Sequence, residues 1–199
     1  SSFFVFLAIL TISILMTDKD FEKFITDSLS EDVGDGDHTS LASIPIDATN
    51  RAHLLVKDTG IIAGIELAEM IFRKVDSTLK VEIFFKDGDK VKFGDIAFLV
   101  EGNSISILTA ERLVLNCMQH MSAIATKTTY LNSLISDTNC KVLDTRKTTT
   151  LNRKLEKWAV KIGGGENHRF ALYDMIMIKD NHIDFAGGIT KAIQKTKKY

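Results

Sequence analysis

Three short runs in this sequence gather cations where a small anion could be gripped: Asp144-Thr145-Arg146-Lys147-Thr148, Glu166-Asn167-His168-Arg169 and Lys179-Asp180-Asn181-His182. Arginine offers a planar fork that matches carboxylate or phosphate, whereas lysine acts as a movable point charge. Cations held close together repel, and a multiply charged anion relieves that repulsion. Arg146, Lys147, His168, Arg169 and Lys179 are therefore candidate lining for a pocket that takes small polyanions. Nucleic acid is the competing ligand, but there are no interleaved aromatics and no basic stripe along a helix. Asp144 and Asp180 stand beside these cations, placed to orient them, to pair with them structurally or to touch a magnesium-bound ligand. His38, His53, His120 and His182 form no recognisable metal set, so no protein-bound zinc site is expected.

The flanking pattern explains how such residues could meet. Residues 141–144 read as a short strand, residues 152–162 as a helix with Leu155, Trp158, Ala159 and Ile162 on one face, and 175–178 as a second strand. Gly163-Gly164-Gly165 closes the helix. The spacing suits a right-handed strand–helix–strand unit in a parallel sheet, whose strand ends share one face and carry the site.

Upstream the pattern is α+β: strand 52–56, helix 65–75, then apolar runs 81–85 and 96–100 around a turn at Lys86-Asp87-Gly88-Asp89. The stretch 87–95 resembles the hairpin grammar of biotinyl and lipoyl carriers but lacks a lysine at a hairpin tip. Thr109 reads as an N-cap, with Glu111 in the first turn and one or two helices following to about Ser136. The polar loop 32–39 fails the calcium-loop pattern and reads as a turn that caps its neighbours.

Composition sets the outer bounds. The 199 residues carry 25 Lys+Arg against 26 Asp+Glu, 45% hydrophobic residues, one proline and two cysteines. That excludes disordered, collagen-like and disulfide-stapled classes, and a generally basic nucleic-acid binder. Cys117 and Cys140 fit a reducing compartment and are expected to be small buried hydrophobes. Residues 3–16 carry no charge but fall short of the ~20 residues a spanning helix needs. Residues 1–15 therefore read as an extension outside the fold, with a membrane anchor as the lesser alternative. The last residues start a helix, and the chain reads as a fragment. The expected division is 1–15, an N-terminal domain at 16–115 and a partial barrel domain at 116–199.

Taken in order, these motifs closely resemble the quinolinate phosphoribosyltransferase family. They are Asp144-Thr145-Arg146-Lys147-Thr148-Thr149, Leu155-Glu156-Lys157-Trp158-Ala159-Val160, Gly163 through Arg169 and Ile178 through His182. Glu31 through Thr39 and Glu111 through Asn116 fit the same family. The resemblance implies an α/β fold: an N-terminal α+β sandwich domain, then the first part of an open parallel α/β barrel. It implies a cytoplasmic homodimer of de novo NAD synthesis. The reaction would join quinolinate to phosphoribosyl pyrophosphate, giving nicotinate mononucleotide, pyrophosphate and carbon dioxide, with Mg2+ bound to the phosphoribosyl donor. Carried over by residue, Arg146, Lys147, His168, Arg169 and Lys179 line the quinolinate pocket, with Thr145 from the same turn. Arg112 matches an arginine lent to the neighbouring subunit's site. Lys147 and Lys179 are also placed to reach donor phosphates, as the catalytic pair. Where the family usually continues Pro-Gly-Leu-Arg, this chain has Thr150-Leu151-Asn152-Arg153. The alternatives are a related enzyme acting on nicotinate or another anionic ring, including the molybdenum-operon paralogue, and an inactive binding or dimerisation fragment.

Overall fold

A computed structural model describes residues 18–199. The extension read at 1–15 lies outside the described residues. The chain divides into two compact units, one reaching His168 and the other containing residues 169–199. Among the described residues no helix is long and apolar enough to cross a membrane.

The unit ending at His168 begins with helix α1 (Asp18–Asp32) and helix α2 (His38–Ser43). Phe21 and Ile25 of α1 are buried, and the Phe21 ring lies 4.9 Å from that of Trp158. The polar loop before α2 does cap it: the Asp37 carboxylate accepts the Ser40 N–H at 3.1 Å, satisfying a donor that a helix start leaves unpaired. Strands β1 (Thr49–Leu55) and β2 (Gly60–Ile61), helix α3 (Ile65–Val75), and strands β3 (Lys80–Ile83), β4 (Lys90–Val91) and β5 (Ile96–Asn103) follow. The sheet order is β1-β5-β3, antiparallel throughout, with Ala52 opposite Val100 and Val81 opposite Val100 on the other side. Strands β2 and β4 form a separate two-stranded ribbon. As the central strand, β5 buries Ala97, Phe98 and Val100.

Helix α3 occupies the predicted residues 65–75, but its cap comes from elsewhere. Gly64 precedes it at φ 95° and offers no side chain. The predicted turn at 86–89 delivers Asp87 instead, whose carboxylate accepts the N–H groups of Gly64 (2.6 Å), Ile65 (2.9 Å) and Glu66 (3.2 Å).

Helix α4 (Ser104–Ser133) is one continuous helix, not two. It starts five residues before Thr109, which corrects the expected cap. Asn103 is the cap: its side-chain oxygen accepts the Ser106 N–H at 3.1 Å, and its amide donates to the Ile46 carbonyl at 2.8 Å. A long-range bond thus fixes the helix start ahead of the local signal. The buried stripe contains Ala110, Val114, Cys117, Met118, Met121 and Ala125. Burial pushes the Cys117 thiol up to about 11, which keeps it unreactive. Cys140 departs from expectation: it is exposed, in a turn after α4 where its N–H donates to the Thr138 hydroxyl.

Helix α5 (Arg153–Ile162) packs on α4. Its end needs glycine for space. A Cβ on Gly163 would lie 2.5 Å from the Ala125 carbonyl oxygen and 2.7 Å from Thr128 Cβ. The Gly163 carbonyl accepts from Thr129 Oγ1 (3.1 Å) and Asn132 Nδ2 (3.2 Å), so the two helices are bonded where they touch.

The parallel pairing comes sooner than predicted. Leu143 bridges Glu166, with the Glu166 N–H donating to Val142 O (2.8 Å) and the Asp144 N–H to Glu166 O (3.1 Å). Residues 175–178, the expected second strand, form no strand. The segment leaving the triple glycine pairs first because α5 has already returned the chain to the start of residues 141–144.

In the unit of residues 169–199, helices α6 (Asp180–Ala186) and α7 (Ile189–Lys198) pack together. The Asp174 carboxylate accepts the N–H groups of Phe170 (2.6 Å) and Ala171 (2.7 Å) and closes the preceding loop. Ala192 is the one fully buried apolar residue among those described there.

Candidate active site

The parallel bridge joins two segments and sends both into cationic turns. One leaves Asp144 into Thr145-Arg146-Lys147; the other runs Glu166-Asn167-His168. The Thr145 hydroxyl accepts the Lys147 N–H at 3.0 Å, which bends the first turn. Thr148 accepts from Arg153 Nε at 3.1 Å and ties the following loop to α5. Within this turn Lys147 is exposed and Arg146 is half-buried. The Nε of Arg146 is buried with no hydrogen-bond partner. A buried donor left unmet costs about 1–3 kcal/mol, so the site is primed for an acceptor.

Below the turn the structure is closely bonded. The Asp144 carboxylate pairs with the ammonium of Lys157 from α5. It also accepts the His168 N–H at 2.9 Å. Lys157 donates in addition to the His168 carbonyl at 3.1 Å. The Asn167 amide donates to Asp144 Oδ2 at 2.7 Å and to the Lys157 carbonyl at 2.9 Å. Next to this cluster, Glu156 accepts from the Thr149 N–H (3.1 Å) and faces His120 Nε2 (3.0 Å). Burial alone would raise the Glu156 carboxyl, but the bonds from Thr149 and His120 outweigh it and hold the group below its ordinary value of 4.5.

The remaining predicted site residues belong to other elements. Arg169 is 8% exposed, and its Nη1 donates to the Met175 carbonyl at 3.3 Å. Lys179 is exposed just before α6, with its N–H donating to His182 Nδ1 at 3.0 Å. Both belong to the unit of residues 169–199, whereas Arg146, Lys147 and His168 belong to the other. Arg112 is exposed on α4 and makes no ion pair with any acid among the described residues. A cavity of about 720 Å³ between α4, β1 and β2, lined by residues such as Leu55, Ile62, Met118 and Tyr130, contains none of the predicted site residues.

Comparison with known proteins places this arrangement. The N-terminal domain model of quinolinate phosphoribosyl transferase matches residues 37–122, and the C-terminal domain model matches residues 124–199. The chain belongs to the quinolinate phosphoribosyltransferase family. Quinolinate phosphoribosyltransferase (decarboxylating) 1b of Nicotiana tabacum is 51% identical over 181 residues, covering 90% of this chain and 51% of that protein. The chloroplastic nicotinate-nucleotide pyrophosphorylase (carboxylating) of Arabidopsis thaliana is 49% identical, with 90% and 51% covered. The crystal structure of NadC from Streptococcus pyogenes superposes with a TM-score of 0.88 at 38% identity, covering 94% of this chain and 66% of that one. The chain spans about half the length of the curated relatives it matches. The expected mixed α/β fold, with a sheet domain first and a helix-rich part after, agrees with these members of the quinolinate phosphoribosyltransferase family.

Sequence reasoning missed Lys157. On the helical wheel it lies opposite Leu155, where a lysine is expected in water. Yet no residue from 152 to 160 is fully exposed. A helix covered on both sides with one lysine inside it is the signal, and it shows only once the bridge at Glu166 is known to lie over that side.

Proposed function

We propose that the protein transfers the phosphoribosyl group of phosphoribosyl pyrophosphate to quinolinate, with loss of carbon dioxide, giving nicotinate mononucleotide and pyrophosphate. The observation that carries this reading is the buried, unpartnered Nε of Arg146 at the end of the bridged segment. Family membership supports the choice of substrates, since relatives bear that activity in their names.

Quinolinate carries two adjacent carboxylates on a pyridine ring. In this reading Arg146, Lys147 and His168 hold those carboxylates, with Thr145 shaping the turn, and aim the ring nitrogen at the anomeric carbon of the sugar. As pyrophosphate departs, Lys147 stabilises the negative charge that collects on it. The new N-glycosidic bond leaves the ring nitrogen cationic. As the ortho carboxylate leaves as carbon dioxide, the electron pair of the broken bond stays on its ring carbon, stabilised by the adjacent cationic nitrogen, and a proton then adds to that carbon. The protein's part is positioning and electrostatics, with no covalent enzyme intermediate.

Among the described residues, no group of three or more His, Cys, Asp or Glu side chains could hold a metal. In this reading Mg2+ arrives chelated to the phosphoribosyl donor as part of that substrate. Arg112, exposed and without an acid partner, suits the role of an arginine lent to the site of a second copy, which makes the active form a homodimer. Placement in the cytoplasm belongs to the same reading. A relative named chloroplastic sets the alternative, and subcellular fractionation distinguishes the two.

Calorimetric titration with quinolinate tests the site. Arg146→Ala is expected to stay folded and to bind about 2–5 kcal/mol more weakly, the range for removing one partner of a buried charge pair, with turnover lost. Near-normal affinity and turnover would remove Arg146 from the site.

A further inference from the structure

Lys157 is 2% exposed, a burial that lysine tolerates only when paired. Desolvating two ions costs enough that a buried pair is often no more stabilising than well-packed apolar side chains. The pairing of Lys157 with Asp144 therefore calls for a reason besides packing, and chain position supplies one. Asp144 directly precedes Thr145-Arg146-Lys147, and His168 ends the other bridged segment. The last backbone bond between these segments is from the Asp144 N–H to Glu166 O at 3.1 Å. Past it, side-chain bonds link the two ends. Lys157 donates to both the Asp144 carboxylate and the His168 carbonyl, and Asp144 accepts the His168 N–H.

We propose that Lys157 is a positioning residue for quinolinate: by tying Asp144 to the His168 backbone, it sets the spacing between the Thr145–Lys147 turn and His168. The proposal rests on the reading that Arg146, Lys147 and His168 bind quinolinate. Lys157 touches no substrate and acts through these neighbours. A shift of about 1 Å in such groups is enough to cost on the order of a hundredfold in rate.

Steady-state kinetics of the complete natural polypeptide, with Lys157→Met and the double variant Lys157→Met/Asp144→Asn, test this. Methionine keeps the unbranched chain up to the ε position and donates nothing. The double variant leaves no unpaired buried charge, so it yields folded protein even where the single variant unfolds. We expect the quinolinate KM to rise at least about tenfold in every variant that folds. The KM for phosphoribosyl pyrophosphate should rise less than that for quinolinate, because in this turn only Lys147 also reaches the donor. The double variant should melt closer to wild type than the single one. A pair that serves only the fold would give a double variant whose quinolinate KM returns to within about twofold of wild type as its melting temperature recovers; that result overturns the proposal. Failure of the wild-type protein to consume quinolinate would instead overturn the functional reading, and the control assay reports it separately.

Discussion

At the residue scale, one carboxyl links the site to its pH range. Glu156 is held below its ordinary value because the Thr149 N–H and His120 favour its ionised form by more than burial opposes it. A lowered folded-state value means stability that is fully present above the ordinary value of 4.5 and is lost as pH falls through the folded value. The chain should therefore lose stability from about pH 4.5 downward, and Glu156→Gln should flatten that part of the profile while lowering stability at pH 7. Denaturant midpoints between pH 3 and 7 measure both; an unchanged acid limb in the variant would show that other carboxylates set it. The cations Arg146, Lys147, His168 and Arg169 were legible in the sequence because their types and motif order are themselves the signal. Lys157 was not, because helical spacing reports which side of α5 meets α4 and says nothing of what covers the other side.

At the element scale, Leu151 shows a local rule being broken. It lies in the loop between Lys147 and α5 at φ 64°, and its side chain is 94% exposed. The left-handed region costs a residue bearing a Cβ about 1–2 kcal/mol. The family's usual glycine at this position would avoid that cost. Leu151→Gly should stabilise the chain by about 0.5–1 kcal/mol, after allowing for the greater freedom of glycine when unfolded. A denaturant midpoint raised at unchanged slope would show it, and a lowered midpoint would mean that the exposed leucine makes a contact of value. The elements themselves divide by the range of their signals. Helix α3 was legible to the residue because its apolar spacing is local. The start of α4 was not, since Asn103 is fixed by the carbonyl of Ile46, 57 positions away in sequence. The parallel partner of residues 141–144 was misplaced for the same reason: an apolar run at 175–178 looks like a strand, whereas Glu166, a charged residue outside any apolar run, pairs through its backbone and a salt bridge to Lys141.

At the scale of the whole molecule, the two units differ in what holds them. The unit ending at His168 contains the buried stripe of α4, the faces of β5 and the junction at Gly163. Among the described residues, the unit containing residues 169–199 buries little beyond Ala192, Arg169 and Asp174, and exposes Leu172, Tyr173, Phe185 and Ile189. Native-state hydrogen exchange of the 199-residue chain should find the slowest amides in α4, around Val114–Ala125, and fast exchange through α6 and α7. Equal protection in the two regions would show that the second unit is held by more than its own contacts. The central claim concerns chemistry, and carbon dioxide release reports it most directly. Given carboxyl-labelled quinolinate, the complete natural polypeptide should release labelled carbon dioxide only when phosphoribosyl pyrophosphate is present, with one nicotinate mononucleotide formed per molecule released. Release without the donor, or transfer to nicotinate in place of quinolinate, would contradict it.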